Sequence, residues 1–137
     1  MISQTLCTSF KQELLLAVHD FSTDTFKMAL YNANADLSAS TTVYTATEEA
    51  TGTGYTAGGI PLIGATVNTS GTTAYVDFDN AVWNPAAFTC RGALIYNASK
   101  SNKAVAVLDF GADKTAITQF TVTMPANTST SALIRLP

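Results

Sequence analysis

The chain reads as a mainly β protein, a β-sandwich or jelly-roll-like domain of about eight strands with one N-terminal α-helix. Three observations carry this reading. From Phe26 onward, short apolar or alternating runs are separated by Gly, Asn, Asp and Ser clusters, the pattern of strands and turns. Those turn signals recur about every 8–12 residues, the rhythm of a sandwich or jelly roll. The two runs on either side of Ala98–Asn102 are apolar on both faces, as expected of strands buried in the middle of a sheet.

The totals bound the rest. At 137 residues the chain is expected to be a single domain, 1–137, with a helix over about 9–19 and the sandwich over 25–136. That length suffices to bury about 65–70% of the unfolded surface without staples. Charged residues make up only 12% of the chain, about half the usual share, so Thr, Ser, Asn and Ala must form much of the surface. Such a surface suits a protein covered in part by copies of itself or by a partner. A net charge of −3 argues against nucleic acid as a partner, because binding it requires a basic stripe. No apolar run approaches the roughly 18 residues of a membrane span. With no Lys or Arg before Lys11 and only a short apolar run, the N-terminus is a poor secretion signal. Cys7 and Cys90 lie far apart in sequence and outside any metal motif, and read as free, buried small hydrophobes, with a disulfide the second reading.

Taken in order, Ser9 and Gln12 form a capping-box pattern, and Phe10, Leu14, Ala17, Val18 and Phe21 follow at helical spacing. His19 falls in the last turn of that helix and reads as a capping or surface histidine, since no second histidine shares a metal or a catalytic role. Asp20-Phe-Ser-Thr-Asp24 begins like a calcium loop but lacks the glycine and the final glutamate, so it reads as a turn into the strand Phe26–Tyr31. Gly52-Thr-Gly-Tyr-Thr-Ala-Gly-Gly59 has no following Lys-Ser/Thr and is not a phosphate cradle. It reads as a mobile or partner-contacting loop pinned by Tyr55. Residues 61–69 and 72–79 form a hairpin around Ser70-Gly71. There Asp77 and Asp79 are expected on one solvated face, and a glycosidase pair lacks any supporting cleft. Trp83 is expected to be a buried lid. In the central hairpin, a five-residue loop places Asn97 opposite Lys103, Ile95 opposite Val105 and Arg91 opposite Asp109, a cross-strand ion pair of structural role. Strands bearing Phe120, Val122 and Met124, then Ala132, Ile134 and Leu136, close the fold.

No Ser–His–Asp set, supported Cys–His pair, metal cluster or nucleotide loop emerges, so no catalytic, cofactor-binding or metal residue is assigned. The blocks Phe10-Lys-Gln-Glu-Leu-Leu-Leu, His19-Asp-Phe, Asp24 to Tyr31, Gly52 to Gly59, Arg91-Gly-Ala-Leu-Ile-Tyr96 and Lys103 to Gly111 resemble a family of small proteins of tailed bacteriophages and prophages. The likeness covers nearly the whole chain in the family's order. It implies a virion structural protein without enzymatic activity or cofactor, assembled in the host cytoplasm: a capsid decoration (cement) protein that stabilises the head shell. The implied partners are the major capsid protein and copies of itself, with a homotrimer around local three-fold axes as one closed form. The alternative is a tail or fibre component binding host carbohydrate through Tyr55, Tyr75 and Trp83. Partner contacts are expected at Leu6, Phe10 and Leu14 of the N-terminal segment and at Tyr55 and Thr56 of the glycine loop, although Phe10 and Leu14 equally suit the domain's own core.

Overall fold

In the computed structural model, which describes residues 1–137, the most apolar stretch of the chain becomes the middle of the largest sheet. The elements are β1 (Thr5–Leu6), α1 (Thr8–Leu15), β2 (Phe26–Tyr31), β3 (Gly52–Thr53), β4 (Ile60–Pro61), β5 (Thr66–Ser70) and β6 (Thr73–Asp77). They continue with β7 (Ala81–Trp83), β8 (Ala87–Asn97), β9 (Lys103–Ala116), β10 (Phe120–Val122) and β11 (Ile134–Leu136). The fold is mainly β, with a single helix and three antiparallel sheets. The six-stranded sheet has the order β1-β9-β8-β2-β4, with β3 also pairing β8; β10-β7 and β11-β6-β5 form the smaller sheets. The count of eleven exceeds the expected eight because several strands are only two or three residues long.

Both faces of β8 are buried, and Ala93, Leu94 and Ile95 are wholly inaccessible. Successive side chains on a strand point to opposite faces. Leu94 and Tyr96, beside Ala29 and Lys27 of β2, therefore share one face, and Ile95 and Asn97, beside Met28 and Phe26, share the other. The long segment between β2 and β4 covers the first: Tyr44 stacks on Tyr96 with ring centroids 4.9 Å apart. The helix side and the three-stranded sheet cover the second, through Phe10, Phe21, Phe26 and Phe78, with Phe26 and Phe78 centroids 5.8 Å apart. The layers are sandwich-like, although the cover on the first face is mostly irregular.

Several expectations need correction. The helix runs over Thr8–Leu15, not 9–19. Cys7 is still extended (φ −68°, ψ 139°) and donates its N–H to Val105 O in the sheet, and the helix starts at the next residue. Cys7 is the N-cap and makes no side-chain cap bond, and the Ser9 hydroxyl is buried without a partner, so no capping box forms. At the other end Val18 N–H donates to Glu13 O and Ala17 N–H to Leu14 O, a Schellman closure. Ala17 occupies its left-handed position with φ 59°.

The hairpin register holds at Asn97–Lys103 and then shifts twice. Ile95 faces Ala106 rather than Val105, and Gly92 rather than Arg91 faces Asp109, because β9 carries extra residues at both places. Arg91 lies opposite the wider irregularity and still reaches Asp109 at 3.7 Å, along with Asp113 at 3.9 Å. The ion pair is therefore real, but it spans a bulge rather than a directly opposed pair. Asp77 does not share a solvated face with Asp79: it is 3% exposed, and one of its carboxylate oxygens has no partner. Burial raises its carboxyl above the usual range, against the N–H bonds from Phe78 and Leu133.

The Ala17 conformation yields a direct check. A left-handed residue with a Cβ is strained by about 1–2 kcal/mol, and glycine relieves this while adding freedom to the unfolded chain. Ala17→Gly is expected to stabilise the fold by about 0.5–1 kcal/mol, read as a higher urea midpoint with an unchanged slope; a lower midpoint would refute the strained-cap reading.

Candidate functional site

The five expected contact residues separate into two groups. Phe10 is 1% exposed and belongs to the core, which removes it as a contact. Tyr55 is turned inward, its ring edge-on to Phe88 at 5.6 Å and its hydroxyl accepting from the Leu30 N–H at 2.9 Å. Leu6 and Leu14 are half-buried and Thr56 is exposed, so these three keep surface to offer. Leu6 borders a groove of about 600 Å³ between β1–β9 and the chain around Val122–Pro125 and Leu133.

Leu14 lies on the more apolar feature. With Phe21, Val67, Val76, Ile134 and Leu136 it lines a cleft of about 130 Å³ between the helix end and the three-stranded sheet, and every lining residue is hydrophobic. The same surface carries exposed large side chains: Val67 is 59% and Leu136 51% exposed. At the helix end Leu15 is 90% and Leu16 66% exposed. Neither Leu15 nor Leu16 was among the expected contacts, yet a signal was present. Consecutive helical residues point about 100° apart, so three leucines in a row cannot all face inward from one short helix.

Beneath these surfaces, polar side chains meet as ties between elements. Glu49 is the first hub. Its carboxylate accepts from the Tyr44 hydroxyl at 2.6 Å, from the Tyr55 hydroxyl and from the Gly58 N–H at 2.7 Å. The Tyr96 hydroxyl donates to Gly58 O at 2.6 Å, so both the N–H and the C=O of Gly58 are held. Burial first, and then the adjacent Glu49, push the Tyr44 and Tyr55 hydroxyls well above their usual range. The glycine loop is thus clamped by Tyr55 and its partners, rather than free. Its glycines permit close approach: a Cβ on Gly59 would stand 1.7 Å from Met28 O, and one on Gly54 1.9 Å from Pro85 O.

The second hub corrects the histidine. His19 is 7% exposed and packs between Phe10 and Phe26, with ring centroids at 5.0 and 6.3 Å. Its Nε2 lies 2.9 Å from Glu13 Oε1 and its Nδ1 3.0 Å from Asn97 Nδ2. The Asn97 amide is oriented by two further bonds: its Oδ1 accepts from the Ser99 N–H, and its Nδ2 donates to Asp24 Oδ2 at 2.8 Å. The amide nitrogen therefore donates to Nδ1, and the ring carries its proton on Nε2, facing Glu13. Lys100 Nζ completes the chain by donating to both oxygens of Asp24, at 2.8 and 3.0 Å. Burial alone would raise the Asp24 carboxyl; the bonds from Lys100, Asn97 and the Asp20 N–H, with the Lys100 charge, outweigh it and hold the group at about 2. Asn97, in a glycosylation-type sequon, is wholly buried and tied.

No three His, Cys, Asp or Glu side chains converge closely enough to hold a metal ion. Cys7 and Cys90 are free and buried, as expected, and burial pushes their thiols up to about 11 and about 12. Trp83 is a buried lid, 2% exposed, so of the three aromatics considered for carbohydrate only Tyr75 retains accessible surface without an internal role. Comparison with known proteins finds no matching family model, no matching curated protein and no matching solved structure.

Two outcomes follow from the hubs. A carboxylate held below its unfolded value contributes stability that is complete above about pH 4 and is lost as pH falls toward its folded value. For Asp24 that window lies between about pH 4 and pH 2. Urea midpoints of the wild type should fall more steeply across this range than those of Lys100→Met, and parallel curves would remove the tie. Glu49→Ala strands the donors of Tyr44, Tyr55 and Gly58, at a cost of about 2–4 kcal/mol. Limited proteolysis of Glu49→Ala should cut first within the glycine loop, and a wild-type digestion pattern would show that the clamp is dispensable.

Proposed function

We propose that this chain is a non-enzymatic structural protein of a tailed-bacteriophage virion, a decoration (cement) subunit on the outside of the head shell. It acts there with the major capsid protein and with copies of itself. The family resemblance of the blocks from Phe10 to Gly111 points to a virion, and the apolar surface around the helix end supports a docking role. That surface is the observation on which the reading rests: Val67 and Leu136 stand in water at a cleft lined by eight hydrophobic residues, and Leu15 and Leu16, which follow the cleft-lining Leu14 at the helix end, stand in water as well. A monomer gains nothing by exposing such residues, whereas burial of each against a shell subunit contributes about 1.5–3 kcal/mol.

A subunit held across a seam between shell proteins must be released before those proteins separate, so its binding energy adds to the resistance of the shell. The internal role of the polar clusters fits this economy. Glu49, His19, Asn97 and Asp24 hold the domain's own layers, and the contact surface is left to apolar and hydroxyl side chains.

The test uses purified protein and heads of the encoding phage assembled without it. The protein should co-sediment with the heads and raise the temperature at which they disrupt. Leu15→Glu with Leu16→Glu should weaken that binding by about 10- to 100-fold while leaving the circular dichroism spectrum unchanged. Heads that neither bind the protein nor gain heat resistance would sink the proposal, as would density for it only on the tail in a map of the intact particle.

A further inference from the structure

The outer edge of the three-stranded sheet carries an inference of its own. β5 pairs with β6 on one side and with nothing on the other. Exposed edges are commonly blunted by Pro, by a charge or by a bulge. Thr66-Val-Asn-Thr-Ser70 contains no Pro and no ionisable residue, and its ladder with β6 runs from Ser70–Thr73 to Thr66–Asp77 without a shift. The strand also bears Val67, 59% exposed on the face of the sheet that lines the cleft.

The hairpin geometry sets which backbone groups are free. A two-residue turn at Gly71–Thr72 makes Ser70–Thr73 the first hydrogen-bonded pair, so Asn68 and Thr66 also bond inward to β6. Val67 and Thr69 then direct their N–H and C=O groups outward, and no turn or loop bond elsewhere in the structure uses them.

We propose that β5 is a self-association edge, along which two copies of this chain pair antiparallel about a two-fold axis at Asn68. In this register Val67 faces Thr69 of the second copy, and Thr69 faces its Val67. The outward groups of all four residues match as donors and acceptors, giving four N–H···O bonds. Asn68 faces its own copy in a non-hydrogen-bonded pair, and no charge meets a like charge because the strand has none. Side-chain rows match as well. Ile134, Val76 and Val67 form one row across the small sheet, and Leu136, Ala74 and Thr69 the next. The two-fold axis joins each row to the other across the seam, so the apolar face continues through six strands. A contact of this kind is isologous and closes on itself. It gives a two-fold dimer rather than the three-fold cluster that the family resemblance implies, and it does not depend on where in a virion the chain sits.

Sedimentation equilibrium of the full chain, from about 1 μM to about 1 mM, is expected to show the mass rising from one chain toward two. Thr69→Pro removes an outward N–H without touching the β6 ladder, and Val67→Lys places a charge on the edge. Each should weaken association by about tenfold or more, with the folded spectrum retained. Asn68→Cys provides a readout independent of those variants, since non-hydrogen-bonded partners have Cβ atoms about 4.5–5.5 Å apart, close to disulfide reach. On mild oxidation Asn68→Cys should yield covalent dimers and Ser70→Cys should not, the native thiols being buried. A wild type that stays monomeric throughout would overturn the proposal. So would a dimer indifferent to both edge variants, or equal cross-linking of Asn68→Cys and Ser70→Cys.

Discussion

The structure depends on one constraint: β8 is apolar on both faces and lies between two strands that are nearly as apolar. A strand of this kind cannot stand at a solvated surface, because each large side chain left in water forfeits about 1.5–3 kcal/mol. Both faces must be covered, and the chain on either side of the hairpin does the covering. The segment between β2 and β4 lies over the Leu94–Tyr96 face, and α1 with the small sheet lies over the Ile95–Asn97 face. The two covers differ in kind. The first is largely irregular and needs polar bonds to hold it in place; the second is built from aromatic contacts among Phe10, Phe21, Phe26 and Phe78.

Those polar bonds explain how a chain with so few charges uses them. Glu49 satisfies donors from Tyr44, Tyr55 and Gly58, which come from different parts of the irregular cover. The Glu13–His19–Asn97–Asp24–Lys100 chain joins the helix, the following turn and the tip of the central hairpin. Both hubs lie at the margin between core and solvent, where hydrogen bonds to a charged group are strong and an unmet donor is costly. Outside these ties, the helix end exposes Leu15 and Leu16, and the β5 edge carries valine, threonine, asparagine and serine.

Fold class and the position of the hairpin were legible because both rest on local pattern. Runs apolar on both faces specify burial whatever packs against them, and glycine-rich stretches between strands specify turns and close approaches. His19 was not legible. Its helical spacing and single copy suggest a surface residue, while the Asn97 that binds its ring comes from the distant tip of the central hairpin. Asp77 misled for a similar reason: alternation along β6 directs it outward, but the chain around Leu133 packs over it. Of the expected contacts, Leu14 is half-buried and lines the apolar cleft. Phe10 shares its helical stripe and yet belongs wholly to the core, a division that depends on how deeply each turn of the helix sinks.

The sequence by itself determined a mainly β chain with one N-terminal helix, a two-faced central hairpin, a glycine loop anchored by Tyr55 and free buried cysteines. These follow from periodicity, backbone freedom and hydrophobicity, which act over a few residues. Only the tertiary structure decided that the helix stops at Leu15, that the hairpin register slips at two bulges, and that Arg91 bridges Asp109 and Asp113 across one of them. It likewise decided which leucines remain in water and which edge of the small sheet stays open. Each depends on residues distant in sequence competing for the same backbone groups and the same buried volume, and no local pattern records who wins that competition.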